Sequence, residues 1–257
     1  MAAQPAPHRM QLQDILYTQG FGTRRACALL ITEGQVAVDG AICTDAQAAF
    51  TPEGLEFCVR GEPWTYHARA YLMLHKPAGT ECSHKPKSWP SVYSLLPAPL
   101  RLRPSTSSVS GVQAIGRLDQ DTTGLLLLTD DGPLIHRLNS PRHHVPKVYE
   151  VTTVDPVQPG QLERLRAGVV LHDDPAPVRA AACEATGTHR LRLTLTQGKY
   201  HQVKRMVAAA GNAVAALHRS RYGALVLPEA LAPGRFRWLE AAEVAALRAP
   251  TLSVPSN

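Results

Sequence analysis

The segment Gly116-Arg117-Leu118-Asp119-Gln120-Asp121-Thr122-Thr123-Gly124-Leu125-Leu126-Leu127-Leu128-Thr129-Asp130-Asp131-Gly132 sets a charged loop directly before an unbroken apolar run. Four consecutive leucines closed by Asp130-Asp131-Gly132 read as a short buried strand ending in a turn. The loop before it carries an acid and a base two residues apart, Asp119 and Arg117, between two glycines. A loop held at one end by a buried strand suits a catalytic group, because the sheet fixes its position. A solvated turn with a surface ion pair has the same composition, so residue chemistry alone leaves both readings open.

Working outward, the pattern keeps alternating between strand and helix. Tyr71 to Leu74 reads as a strand stopped by Lys76-Pro77-Ala78-Gly79. Leu134, Ile135 and Leu138 fall at helical spacing, Lys147 to Thr153 alternates as a strand, and Leu162 with Leu165 marks a helix closed by Gly168. Leu191, Leu193 and Leu195 alternate with Arg190, Arg192, Thr194 and Thr196, and Val203, Met206, Val207 and Ala210 form one face of a helix ending at Gly211. There is no regular strand–helix–strand repeat, which predicts an α+β fold around a largely antiparallel sheet. Leu96 to Gly111, rich in Pro and Ser and without periodicity, reads as a mobile loop.

A separate small module precedes this region. Residues 1–9 are rich in Ala and Pro and read as disordered. Leu12, Ile15 and Leu16 then suggest a first helix; Thr23 caps a second over Arg24–Glu33, stopped by Gly34. Val36 and Val38 alternate into the hairpin pair Asp39-Gly40. Arg60 to Ala70, interrupted by Gly61 and Pro63, reads as a linker. The expected domains are therefore residues 10–60 and 69–247.

Composition narrows the class. The chain has 257 residues, of which 44% are hydrophobic, enough for a sizeable core. No apolar run approaches a membrane span and Met1 to Met10 lacks a signal-peptide core, so the expectation is a soluble cytoplasmic protein. Cys27, Cys43, Cys58, Cys82 and Cys183 form no CxxC pair, which argues against a zinc site or a disulfide framework. No phosphate-cradling glycine motif is present, and neither a metal nor a cofactor is expected. Lys plus Arg number 27 against 21 acids, giving +6, a modest bias toward a polyanionic partner. The basic residues cluster at Arg24-Arg25, Arg101–Arg103, Lys199–Arg205 and Arg219–Arg221. Lys199 and His201 precede a predicted helix; with Lys204 and Arg205 they can form a phosphate site or simply a solvated helix face. Arg142, His143 and His144 offer a further basic loop that either meets a polyanion or stays in solvent.

The Gly116–Gly132 segment resembles the signature of the pseudouridine synthases, in the branch that acts on small-subunit ribosomal RNA. Four more segments agree in order: Leu74–Gly79; Ser140-Pro141-Arg142-His143-His144 with Lys147-Val148-Tyr149; Gln197–Met206; and Gly211-Asn212 with Leu217-His218-Arg219. Phe21 to Gly40 resembles the S4-like RNA-binding fold, although Gln11-Leu12-Gln13 stands where relatives carry Arg-Leu-Asp. The resemblance spans roughly residues 10 to 245. It implies an α+β catalytic domain with a small N-terminal S4-like domain, acting without cofactor, as a monomer, on ribosomal RNA or a ribosome-assembly intermediate. It implies catalysis by Asp119, Tyr149 and Lys204, with Leu195 lining the pocket. Arg117 either supports the loop or meets a phosphate. The RNA contacts implied are Arg24, Arg25, Arg142, Lys199, His201 and Arg205. The expected reaction is isomerisation of a uridine in 16S ribosomal RNA. The alternatives are a sister activity on 23S ribosomal RNA and an assembly factor without catalysis.

Overall fold

The computed structural model describes residues 8–105, 109–172 and 174–249. The chain divides into two compact units, Met1–Ala70 with Leu96–Gln113, and Tyr71–Leu95 with Ala114–Asn257.

The first unit packs two helices on a small antiparallel sheet. Strand β1 (Met10–Gln11) leads into helices α1 (Leu12–Gln19) and α2 (Arg24–Thr32), followed by β2 (Val36–Val38), β3 (Ala41–Ile42), β4 (Ala49–Phe50), β5 (Glu56–Val59) and β6 (Glu62–Thr65). The sheet order is β3-β2-β5-β6, with β1 pairing β4 separately. The Thr23 hydroxyl accepts the Ala26 N–H and so caps α2 as the sequence predicts. Leu12, Ile15 and Leu16 of α1 and Cys27 and Ile31 of α2 meet Val36, Val38, Phe57 and Val59 in one apolar core.

Two segments differ from their expected form. The stretch read as a linker contains β6, because Arg60 (φ +55°) and Gly61 (φ +82°) form a tight left-handed turn pairing Val59 with Glu62. Pro63 is tolerated there because β6 is an edge strand, where a missing N–H need not break a ladder. The segment read as a mobile loop carries helix α3 (Ala98–Leu102) and buries Leu100 and Arg103. The Arg103 guanidinium donates to Gln19 Oε1 at 3.0 Å and to the His67 carbonyl at 2.7 Å, so this arginine is a structural tie and not an RNA contact. Its periodicity is hidden because a five-residue helix shows only one buried leucine. Residues 106–108 of that segment, and residues 1–7 of the stretch read as disordered, lie outside the described residues. Arg9 donates to the Ala49 carbonyl.

The second unit is built on one large mixed sheet. Its elements are β7 (Tyr71–Lys76); β8 (Gln113–Ala114), where the chain returns to the unit; β9 (Thr123–Thr129), α4 (Gly132–Asn139), β10 (Lys147–Thr153) and α5 (Pro159–Ala167). There follow β11 (Val169–Leu171), β12 (Asp174–Val178), β13 (Ala182–Gly187), β14 (Arg190–Leu195), α6 (Gln202–Ala209), β15 (Val214–Tyr222), β16 (Leu225–Val226), β17 (Phe236–Trp238) and α7 (Ala241–Arg248). The main strand order is β13-β14-β10-β15-β9-β7-β17. These neighbours run antiparallel except β9 and β15, which are parallel, so the largely antiparallel α+β expectation holds. Among the described residues, one apolar core of the unit lies under β10, β14, α5 and α6, and another around β7, β9, α4 and Tyr222.

The β9–β15 pairing is short, His218 against Thr123 and Arg219 against Gly124. It is also very close. Gly124 has φ +110°, and a Cβ there would lie 2.7 Å from the Arg219 backbone nitrogen and nearer still to its carbonyl oxygen. Only glycine fits, on steric and conformational grounds alike. Arg219, a member of one of the basic clusters, is 2% exposed and donates from Nε to the Leu125 carbonyl at 2.8 Å. The Gly124→Ala variant is expected to lose about 2–5 kcal/mol of stability from left-handed strain and overpacking. Urea unfolding followed by far-UV circular dichroism measures it; an unshifted midpoint would contradict the close approach.

Candidate active site

Asp119 owes its position to a buried lysine. Lys76, at the end of β7, is 0% exposed and its Nζ donates to three carbonyls: Pro77 at 3.1 Å, Gln120 at 3.2 Å and Thr122 at 2.9 Å. Two of those carbonyls belong to the loop that carries Asp119. The Gly79 N–H adds a 2.8 Å bond to Gln120, and the Thr122 N–H closes a turn on the Asp119 carbonyl at 3.1 Å. Burial pulls the Lys76 ammonium below its ordinary pKa, while the acids Asp121 and Asp119 counter that pull. On the strand side, the Thr123 hydroxyl pairs with His218 Nδ1 at 2.8 Å. The loop is therefore tied on both sides, and the sequence shows neither tie.

The loop forms one wall of a cleft of about 840 Å³. Asp119, Arg117, Tyr149, Leu195, Lys199, His201 and Lys204 all line it, which brings the three expected catalytic residues together with two of the six expected RNA contacts, Lys199 and His201. Tyr149 is half-buried on β10, its register partners being Leu193 on β14 and Arg219 on β15. Leu195, buried at the end of β14, supplies apolar wall. Arg117 is exposed. Arg142 is exposed too, but does not line this cleft.

The charges around Asp119 are shared. Its Oδ2 lies 3.4 Å from Lys204 Nζ and its Oδ1 lies 3.3 Å from His201 Nε2. Lys204 is held more tightly by Asp121, donating to both carboxylate oxygens at 2.7 and 2.8 Å. Burial works against the Lys204 ammonium, but the Asp121 hydrogen bond and the Asp119 charge outweigh it and hold its pKa above the ordinary value. Burial likewise works against the Asp121 carboxylate, and the bond from Lys204 overrides it, leaving Asp121 below the usual carboxylate value. Asp121 and the His201–Asp119 contact were not anticipated from sequence. Asp121 lies only two residues after Asp119, a spacing that lets one cation reach both; the family resemblance puts Lys204 near Asp119, but nothing in the sequence pairs it with Asp121.

His201 takes up the left-handed conformation, φ +48°, immediately before α6. The helix N-terminus expected to bind phosphate is partly spent internally: the Lys199 N–H goes to Gln202 Oε1 at 2.8 Å and the Gln202 N–H to the Lys199 carbonyl at 3.2 Å. What phosphate attraction this edge has therefore rests on its side chains.

Lys147 is a further cleft residue that sequence did not single out. Its Nζ donates to the Val145 carbonyl at 3.0 Å and lies 5.3 Å from the centre of the Tyr222 ring. Burial, with the nearby Arg219 charge, lowers its pKa to about 8. The unfolded lysine holds its proton up to about pH 10.5, so between pH 8 and 10.5 the unfolded chain binds more protons and folding stability gains from this group as pH rises. An NMR titration of lysine side chains labelled with ¹³C is expected to show one resonance titrating near pH 8 that disappears in Lys147→Met. All lysines titrating near 10.5 would refute that environment.

Comparisons with known proteins fit this geometry. Residues 70–209 match the family described as RNA pseudouridylate synthase, and residues 10–53 match the S4 domain. The protein named ribosomal small subunit pseudouridine synthase A from Pasteurella multocida is 38% identical over 238 residues, covering 92% of this chain and 98% of its own. Its namesakes from Salmonella typhimurium and Escherichia coli K12 are 41% and 40% identical, each covering 91% of this chain and 98% of its own. A crystal structure of a pseudouridylate synthase superposes with a TM-score of 0.64 at 35% identity, covering 93% of this chain and 99% of its own.

Proposed function

The chain belongs to the RNA pseudouridylate synthase family, and from that premise we propose that it converts a uridine of small-subunit ribosomal RNA to pseudouridine. The observation that carries the reading is the Asp119 carboxylate, held in a cleft wall with Lys204 and His201 against it. The target follows the names of the relatives, with which this chain is colinear over nearly its whole length.

The reaction exchanges one glycosidic bond for another. The bond from uracil N1 to ribose C1′ breaks, and a bond from C5 to C1′ forms. C5 gives up its hydrogen as a proton and N1 takes one, so no oxidant, reductant or co-reactant enters, and no cofactor is proposed. Asp119 acts as the carboxylate that engages the nucleotide, and Lys204 keeps negative charge at that point favourable. Tyr149 offers a face for the extruded uracil, whose departure from an RNA stack costs a few kcal/mol, roughly; Leu195 lines the pocket beneath. Arg117 meets a phosphate or steadies the loop.

The N-terminal module, proposed as residues 10–60, grips RNA outside the cleft, and residues 69–247 form the catalytic domain. The two arginines expected to contact RNA from the N-terminal module differ in availability. Both are exposed, but Arg24 donates from Nε to Asp14 Oδ1 at 2.8 Å and lies 4.1 Å from the centre of the Tyr17 ring, contacts that Arg25 does not share. Arg25 is therefore the better phosphate contact of the two. Arg142, Lys199, His201 and Arg205 extend the RNA surface in the catalytic unit. A monomer acting in the cytoplasm on an assembling ribosomal particle completes the reading.

The Asp119→Asn variant is expected to lose tritium release from [5-³H]uridine-labelled small-subunit ribosomal RNA by at least about a thousandfold, with RNA binding nearly unchanged. Substantial turnover by that variant would overturn the assignment. Arg25→Ala is expected to weaken RNA binding alike for all sequences and to reduce the slope of log affinity against log salt by about one. Filter binding across a salt series measures both; an unchanged slope rules out a phosphate contact there.

A further inference from the structure

Three tyrosines line the cleft. Tyr222 is buried, Tyr149 half-buried, and Tyr200 is 70% exposed. Of these three rings, that of Tyr200 is the one left largely open to a ligand. Its surroundings are ordered. The Tyr200 ring stacks on His201 with centroids 3.8 Å apart and planes at 18°. That same His201 reaches Asp119 Oδ1 at 3.3 Å through Nε2. The Tyr200 carbonyl accepts from Arg205 Nη1 at 3.1 Å, fixing the backbone beneath the ring. A flat, water-exposed ring is thus aligned in series with the catalytic carboxylate, one imidazole away.

We infer that Tyr200 is a stacking platform for an unpaired nucleobase adjoining the target uridine. The inference rests on the functional reading above and deepens it. The ring is neutral and apolar on its face, which suits a base and not a phosphate, and the basic residues Lys199 and Arg205 on the same segment suit the backbone on either side of that base. Stacking is tolerant of base identity, so the platform holds the strand at the cleft mouth while Asp119 and Tyr149 act on the uridine itself.

The test measures affinity for transcribed small-subunit ribosomal RNA in the Asp119→Asn background, with Tyr200 intact, as Ala or as Phe. Loss of one base–aromatic stack is expected to weaken binding about tenfold in Tyr200→Ala, with Tyr200→Phe restoring it and the salt slope unchanged. Three results would overturn the platform: binding by Tyr200→Ala within about twofold of the parent, Tyr200→Phe as impaired as Ala, or a slope reduced by about one, which marks a lost phosphate contact. The ring is exposed, and a thermal melt checks that each variant stays folded. A wild-type protein that releases no tritium from ribosomal RNA overturns the functional reading and the platform with it. An active wild type with an indifferent Tyr200→Ala overturns the platform alone.

Discussion

The contact between Gly124 and the Arg219 backbone is the constraint on which the catalytic unit depends. It is the single parallel junction in the main strand order, and it joins the strands around β10 to those around β7. Each side has its own apolar core, and the cleft lies where residues of both cores meet: Leu195, Leu217 and Tyr149 from one, Leu138 and Tyr222 from the other. The glycine is the second residue of β9, directly after the Asp119 loop. One residue without a side chain thus joins the two parts of the sheet next to the loop whose path Lys76 fixes.

Two lysines then divide the electrostatic work. Lys76 never reaches solvent and holds backbone oxygens, so its role is to fix the loop's path. Lys204 reaches carboxylates, bonding Asp121 and lying 3.4 Å from Asp119. Because Lys204 is bonded to Asp121 and only near Asp119, the Asp119 carboxylate faces a cation without being committed to a close ion pair. A carboxylate gripped at both oxygens by one cation is a poorer nucleophile than one left partly open.

Local pattern exposed much of this fold and some of its chemistry. The Leu125–Leu128 run, the alternating leucines of β14 and the Thr23 cap were readable because each is set by neighbours in sequence. Strand β15 was not, although it is central: Val-Ala-Ala-Leu-His-Arg-Ser-Arg-Tyr looks like surface, and burial of Arg219 depends on a carbonyl 94 positions away. Arg103 misled for the same reason, its partners being 84 and 36 positions distant. At the site, Asp119, Tyr149, Leu195 and Lys204 could be named from ordered motifs, and all four line the cleft. Asp121, Lys76 and Lys147 act through long-range pairing or burial, which composition does not encode.

His201 shows what such geometry asks of a sequence. Its left-handed backbone excludes β-branched residues, and asparagine or glycine would relax into that conformation more easily than histidine does. Its imidazole meanwhile serves the Asp119 carboxylate on one side and the Tyr200 ring on the other. Substitutes that suit the main chain forfeit the ring, and aromatic substitutes that keep the stack forfeit the nitrogen. The position is thus closed to gradual drift: any replacement meets three independent filters at once.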